Sequence, residues 1–225
     1  MQIHYCLPIL KKTQAEVVAM IAESRNDYDY FEIWLDYIED LEDSFLEQLA
    51  QDLARKVIFL FRRQQLENIH MPFERRVQLL SLLNGSEALV DLDVSSQEEE
   101  LKHIGEQKLN LNVITSYHNY QQTPDNDTLK DLIKRMETYR PAIYKIATYC
   151  QTETDALLLL QLLLALKKES KQAIILGMGK HATITRVAGT LWGNEMIFAP
   201  QDRGSSSAPG QLTKSELEAV FKVLT

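Results

Sequence analysis

The sequence predicts an α/β protein, a (β/α)8 TIM barrel that takes in residues 1–225 as a single domain. Three observations predict it. Short β-type runs alternate with helical runs along the chain, and strict alternation calls for parallel strands joined by helical crossovers. The alternation completes eight units within 225 residues, and barrels of this kind start at roughly 200 residues. Finally, the second strand is apolar on one side (Phe31, Ile33, Leu35, Tyr37) and carries Glu32, Trp34 and Asp36 on the other. A barrel strand has that pattern when its outer face packs on helices and its inner face approaches a site. A doubly wound open sheet is the alternative arrangement of the same alternation.

The elements follow in order. Ile3 to Ile9 is the first strand. Thr13 to Ser24 is helical, opened by a capping box in which Thr13 faces Glu16 three residues on. Tyr30 to Tyr37 is the second strand and Glu39 to Ala54 its helix. Val57 to Arg62 is the third strand, with a helix from Pro72 to Leu83. Ala88 to Asp93 and Ser96 to Ile104 form the fourth unit, and Leu111 to Tyr117 and Asp125 to Thr138 the fifth. Ala142 to Thr148 is the sixth strand, before the helix Thr152 to Lys167. Ala173 to Leu176 and Thr183 to Trp192 form the seventh unit. Glu195 to Ala199 is the eighth strand, and Thr213 to Val223 the last helix, with a second capping box from Thr213 to Glu216.

Composition narrows the class. Hydrophobic residues make up 45% and charged residues 25%, which is ordinary for a globular protein. The two cysteines, Cys6 and Cys150, stand in apolar runs and read as buried free thiols of a reducing compartment. No signal-peptide pattern opens the chain, so the cytoplasm is expected. The most apolar run, Ala156 to Leu166, is too short to span a bilayer, so no membrane partner is expected. A net charge of −8 argues against nucleic acid as a partner. The histidines and cysteines show no metal-ligand spacing, and no metal is expected.

Barrel enzymes carry their chemistry at the C-terminal ends of the strands. Arg62 ends the third strand, His118 follows the fifth, Lys145 lies inside the sixth, and Arg186 follows the seventh. A lysine in an apolar strand is desolvated, which disfavours its ammonium form, and a neutral amine attacks ketones. Glu32, Asp91 or Asp93 inside the barrel would balance its charge. A structural ion-pair network is the other reading of those residues. His118 can take and return a proton near neutral pH. The loop at residues 204–211 is rich in small residues and suits closure over a ligand. Gly177-Met178-Gly179 before a helix could hold an anion, although the full glycine pattern is missing.

The order of these motifs resembles type I 3-dehydroquinate dehydratase of the shikimate pathway, over nearly the whole chain. The resemblance is carried by Ser116-Tyr117-His118-Asn119-Tyr120 with Thr123-Pro124, by Lys145-Ile146-Ala147, by Gly177-Met178-Gly179 up to Thr185-Arg186, and by Ser207-Ala208-Pro209-Gly210-Gln211. Phe61-Arg62 and Val90-Asp91-Leu92-Asp93 also look like segments of that family. The resemblance implies a Schiff-base lyase acting on 3-dehydroquinate. Lys145 would form an imine with the C3 ketone. His118 would remove the C2 proton and return it to the departing C1 hydroxyl. Arg186 would pair with the substrate carboxylate, Glu32 and Arg62 would hold hydroxyls, and Ser207 and Gln211 would close over the substrate. No cofactor is implied, and a homodimer is.

Two departures from the family accompany the resemblance. The family's Glu-x-Arg-x-Asp reads Glu32-Ile33-Trp34-Leu35-Asp36 here, so an indole replaces a cation. The family's Glu-Gly-Gly, whose glutamate supports the histidine, reads Gln64-Gln65-Leu66-Glu67-Asn68, with Glu67 in place only if the loop shifts by one. Two other functions therefore stand beside the dehydratase: an imine-forming, aldolase-like lyase with an altered substrate, and a ligand-binding paralogue with little turnover.

Overall fold

The computed structural model describes residues 2–61, 71–205, 207–208 and 210–224. Eight parallel strands form one nearly closed barrel, in the order β7-β6-β5-β4-β3-β2-β1-β8. The strands are β1 (Tyr5–Ile9), β2 (Tyr30–Trp34), β3 (Val57–Leu60), β4 (Leu89–Asp93), β5 (Asn112–Asn119), β6 (Ile143–Tyr149), β7 (Ala173–Met178) and β8 (Ile197–Phe198). The helices between and after them are α1 (Gln14–Ser24), α2 (Asp43–Leu53), α3 (Phe73–Leu82), α4 (Glu98–Glu106), α5 (Asn126–Glu137), α6 (Glu153–Lys168), α7 (Thr183–Trp192) and α8 (Lys214–Leu224). The barrel expected from alternation is the fold found. Among the described residues, no helix is long and apolar enough to cross a membrane.

Local sequence explains the helix starts. Thr13 and Glu16 close a reciprocal capping box on α1, as expected. Thr152 and Asp155 do the same on α6. Asp125 accepts from the Thr128 amide to cap α5. Before α8, the Thr213 amide donates to Glu216 and the Glu216 amide donates to the Thr213 hydroxyl.

The strands differ from expectation where pairing outruns or undercuts local propensity. The second strand stops at Trp34, because Leu35–Tyr37 turn into a 3-10 helix closed by the Ile38 amide on the Leu35 carbonyl. Asp36 therefore leaves the inner face of the strand. The fifth strand runs on through His118 and Asn119, which stay in register with Ala147 and Thr148 of β6. The eighth strand shrinks to two residues and pairs only with β1 among the described residues. Between β7 and β8 the side chain of Asn194 substitutes for a strand. Its Oδ1 accepts from the Ile175 amide at 2.7 Å, and its Nδ2 donates to the Ile175 carbonyl at 3.1 Å. Gly189 makes room for it, since a Cβ there would sit 2.6 Å from Asn194 Nδ2.

The core has two shells. The outer shell fills the space between strands and helices, with Phe31, Ile33, Val57, Phe59, Val90, Ile146 and Ile175 facing Leu46, Leu79, Leu159 and Leu163. The inner shell plugs the lower barrel with Ile58, Leu89, Ile114, Ile143, Ile174 and Met196. Strand alternation repeats every two residues. Two residues further along their strands, the inward positions after Leu89, Ile114, Ile143 and Ile174 are thus Asp91, Ser116, Lys145 and Leu176, and two further on they are Asp93, His118, Ala147 and Met178. The barrel is apolar at its base and charged towards its C-terminal mouth. Cys6 and Cys150 are buried and free, as expected. Burial pushes the Cys6 thiol well above its ordinary range, and raises Cys150 as well, so both are inert thiols.

Candidate active site

The C-terminal mouth gathers Glu32, Trp34, His118, Tyr120, Lys145, Arg186, Phe198, Ser207 and Gln211 around one small cavity. Six of the seven residues expected at the site lie there. The seventh, Arg62, lies outside the described residues, as does Glu67.

Lys145 comes from the middle of β6 and is 4% exposed. Its Nζ donates to Asp91 Oδ2 at 2.6 Å and to Glu32 Oε1 at 3.1 Å. The Phe198 ring lies against it, 4.3 Å from Nζ to the ring centroid. The second oxygen of each carboxylate is held too. Ser116 Oγ donates to Asp91 Oδ1 at 2.5 Å, and Trp34 Nε1 donates to Glu32 Oε2 at 3.3 Å. The result is a continuous row, Ser116–Asp91–Lys145–Glu32–Trp34, in which two anions face one cation. The charge balance expected around Lys145 is therefore present, supplied by β2 and β4. A fixed primary amine beside carboxylates able to take its proton is equipped to attack a carbonyl carbon.

His118 sits one layer higher on β5, beside Ala147 in register. Its Nδ1 is 2.9 Å from Asp93 Oδ2, and its backbone amide donates to the same oxygen at 2.9 Å. Asp93 Oδ1 accepts from the Ser95 hydroxyl and amide and from the Ser96 amide. Tyr120 stacks beside the imidazole with centroids 6.5 Å apart.

Arg186 enters from the first turns of α7. It is 2% exposed, and its Nε and Nη1 have no hydrogen-bond partner among the described residues. Desolvation lowers its pKa to about 10. Relative to its ordinary value of 12.5, that corresponds to about 3 kcal/mol of uncompensated charge burial. Such a guanidinium is built to receive an anion. Ser207 and Gln211 complete the wall and hold each other. The Ser207 amide donates to Gln211 Oε1 at 2.8 Å, and Gln211 Nε2 donates to Ser207 Oγ at 3.0 Å.

Within the glycine segment, Gly177 has a packing role. The Gly177 amide is already taken by Thr185 Oγ1 at 2.8 Å. A Cβ on Gly177 would lie 2.5 Å from the Ala182 Cβ and 2.8 Å from the Cys150 sulfur. The glycine is there to let α7 approach β7, which seats Arg186. Two features were not singled out from sequence: Phe198 against Lys145 and Asp93 on His118. Asp93 had a legible signal, because it shares strand face with Asp91. Among the described residues, no group of three or more His, Cys, Asp or Glu could hold a metal ion.

Known proteins are similar to this chain over nearly its whole length. The family model described as type I 3-dehydroquinase matches residues 5–225. The chain is 25% identical over 222 residues to a 3-dehydroquinate dehydratase of Methanococcus maripaludis, covering 97% of this chain and 99% of that protein. It is 26% identical over 217 residues to a 3-dehydroquinate dehydratase of Coxiella burnetii, covering 96% and 91%. Its fold superimposes with a TM-score of 0.83 on the 3-dehydroquinate dehydratase from Geobacillus kaustophilus, at 23% identity and with 100% and 91% of the two chains covered. The type I enzyme from Clostridium difficile with covalently modified comenic acid gives a TM-score of 0.80 at 23% identity, with 99% and 92% covered. With a family model matched from residue 5 to residue 225, this chain belongs to the type I 3-dehydroquinase family.

Proposed function

We propose that this protein is a 3-dehydroquinate dehydratase, a hydro-lyase that converts 3-dehydroquinate to 3-dehydroshikimate through an imine on Lys145. The observation that carries the reading is the buried Lys145 amine one strand layer below His118 in the same cavity. Lys145 Nζ attacks the C3 carbonyl carbon, and the carbonyl oxygen leaves as water. The protonated imine is an electron sink, so the C2 proton becomes acidic. His118 removes it, the electron pair moves towards the imine nitrogen, and the C1 hydroxyl departs with the proton that His118 returns. Water then hydrolyses the imine and restores Lys145. Arg186 grips the carboxylate and regains the solvation that burial removed. Glu32 and Arg62 hold hydroxyls, while Ser207 and Gln211 close the cavity.

As lined by the described residues the cavity measures about 40 Å3, below the roughly 300–1,000 Å3 of ligand sites. Residues 1–225 act as one catalytic domain, the protein works as a cytoplasmic homodimer, and it needs no nucleic acid; sedimentation and cell fractionation check the assembly and the location.

The decisive experiment mixes the protein with 3-dehydroquinate, adds borohydride and weighs the intact chain. A reduced adduct mapping to Lys145, together with ultraviolet absorbance from the enone product, is the expected result. No adduct and no enone would overturn the reading.

Trp34 favours a second reading, an imine-forming lyase for a different ketone, because it offers one donor and no charge where the family offers an arginine. If 3-dehydroquinate is the substrate, Trp34→Arg should lower its KM about tenfold, the effect of one added charged hydrogen bond of roughly 1.5 kcal/mol. An unchanged KM would mean that the indole suffices.

Arg186 gives a pH prediction. The free guanidinium has its pKa lowered to about 10 by burial, and an anion favours its charged form. Affinity for a carboxylate analogue of the substrate is then flat below pH 10. Above it, affinity falls by up to tenfold per unit as binding must take up a proton. Calorimetry on the wild type and on Arg186→Met checks this, and the variant should lose both the affinity and the slope.

A further inference from the structure

We propose that Asp93 is a positioning residue of the reaction: it fixes the His118 ring with its proton on Nδ1, so that Nε2 is the nitrogen that exchanges protons with substrate. The proposal rests on the dehydratase reading and assigns the support of the histidine to β4.

The geometry leaves Asp93 a single role towards the ring. The residue is fully buried and lies in register with Ser116, two positions below His118 on β5. Its Oδ1 is held by three donors, the Ser95 hydroxyl at 2.5 Å, the Ser95 amide at 2.9 Å and the Ser96 amide at 3.3 Å. Its own amide donates to Gln97 Oε1 at 2.9 Å, which fixes the backbone as well. A carboxylate anchored this way cannot rotate to suit the imidazole, so the imidazole must suit the carboxylate. Oδ2 has only lone pairs to offer, and it already accepts from the His118 amide at 2.9 Å. The Nδ1 atom at 2.9 Å therefore carries a hydrogen. In the neutral ring Nε2 is then the nitrogen without a proton, and the basic one.

Proton balance follows. Nε2 takes the C2 proton to give an imidazolium, which the Asp93 carboxylate stabilises while remaining ionised itself. Nε2 then gives the same proton to the leaving hydroxyl, and the ring returns to its starting tautomer. Among the described residues, the other charged and titratable groups lining the cavity are Tyr120 on the ring face and Lys145, Glu32 and Arg186. Of the described side chains, Asp93 is the one whose hydrogen bond to Nδ1 is seen.

The test begins with the wild type, where no variant can misfold. Nitrogen-15 NMR of labelled histidine should show the His118 proton on Nδ1 at neutral pH. A proton on Nε2 would overturn the proposal. In Asp93→Asn, the Ser95 and Ser96 donors draw the amide oxygen to themselves and turn the amide NH2 towards the ring. The tautomer should invert. The kcat should fall about 10²–10⁴-fold, the range of general acid–base catalysis, with KM little changed and borohydride still trapping the imine on Lys145. Wild-type tautomer and kcat retained by a folded Asp93→Asn would overturn the proposal, and so would inversion by Glu67→Gln instead. Failure of the dehydratase reading looks different: the wild type itself would give neither adduct nor enone, whatever its tautomer.

Discussion

Lys145→Ala is expected to abolish turnover, with a loss on the order of 10⁴-fold or more, as when one member of an interdependent catalytic set is removed. Borohydride should then trap nothing. The covalent route has no substitute, because Lys145 is the amine seated between Asp91 and Glu32 at the mouth of the barrel. The same substitution has a structural cost that must be separated from the catalytic one. Two buried carboxylates lose their shared cation, and removing one partner of a buried ion pair costs about 3–5 kcal/mol. Ser116 and Trp34 still hold the outer oxygens of those carboxylates, which moderates the loss. The melting temperature should fall while the circular dichroism of the remaining folded protein stays that of an α/β barrel. A folded Lys145→Ala that still yields an adduct would place the imine on another lysine and sink the assignment.

His118→Ala is expected to separate the two halves of the reaction. Imine formation should survive, because Lys145 and its two carboxylates are untouched. The kcat should fall by about 10²–10⁴-fold, the usual contribution of a positioned acid–base group. The mass of the trapped adduct reports where the reaction stops. In the wild type, elimination has run and the adduct carries the product skeleton. In His118→Ala it should be one water heavier, the substrate's own imine. The fold should tolerate the change well. Asp93 keeps the backbone amide of residue 118 and the Ser95 and Ser96 donors, so no carboxylate is stranded. A variant that traps no adduct would show that His118 also serves imine formation.

These two residues were legible in the sequence because their signals are local. Lys145 stands out as a charge in an apolar strand, and His118 as a titratable residue at a strand's C-terminal end. Glu32 was legible through strand alternation, and so were the capping boxes at Thr13 and Thr213, which need only residues three apart. The barrel was legible for the same reason, since alternating periods of 2 and 3.6 are properties of short segments.

What only the tertiary structure decided depends on register and closure. Asp93 meets His118 because β4 and β5 pair Asp93 with Ser116, and no local pattern sets the offset between two strands. Arg186 proved to be a buried guanidinium with Nε and Nη1 unpartnered among the described residues, a property of everything that surrounds it. The extension of β5 through His118 came from pairing with β6, and the seam beside β8 from the Asn194 side chain. Gly177, read locally as part of an anion loop, also makes room for helix-to-strand packing at the start of α7. By itself the sequence determined the elements, the barrel and the places of Lys145 and His118 on its strands, because backbone geometry makes side-chain direction periodic over a few residues. The ion-pair row around Lys145, the carboxylate beside His118 and the burial of the Arg186 guanidinium were decided by packing between distant segments, which a local period cannot encode.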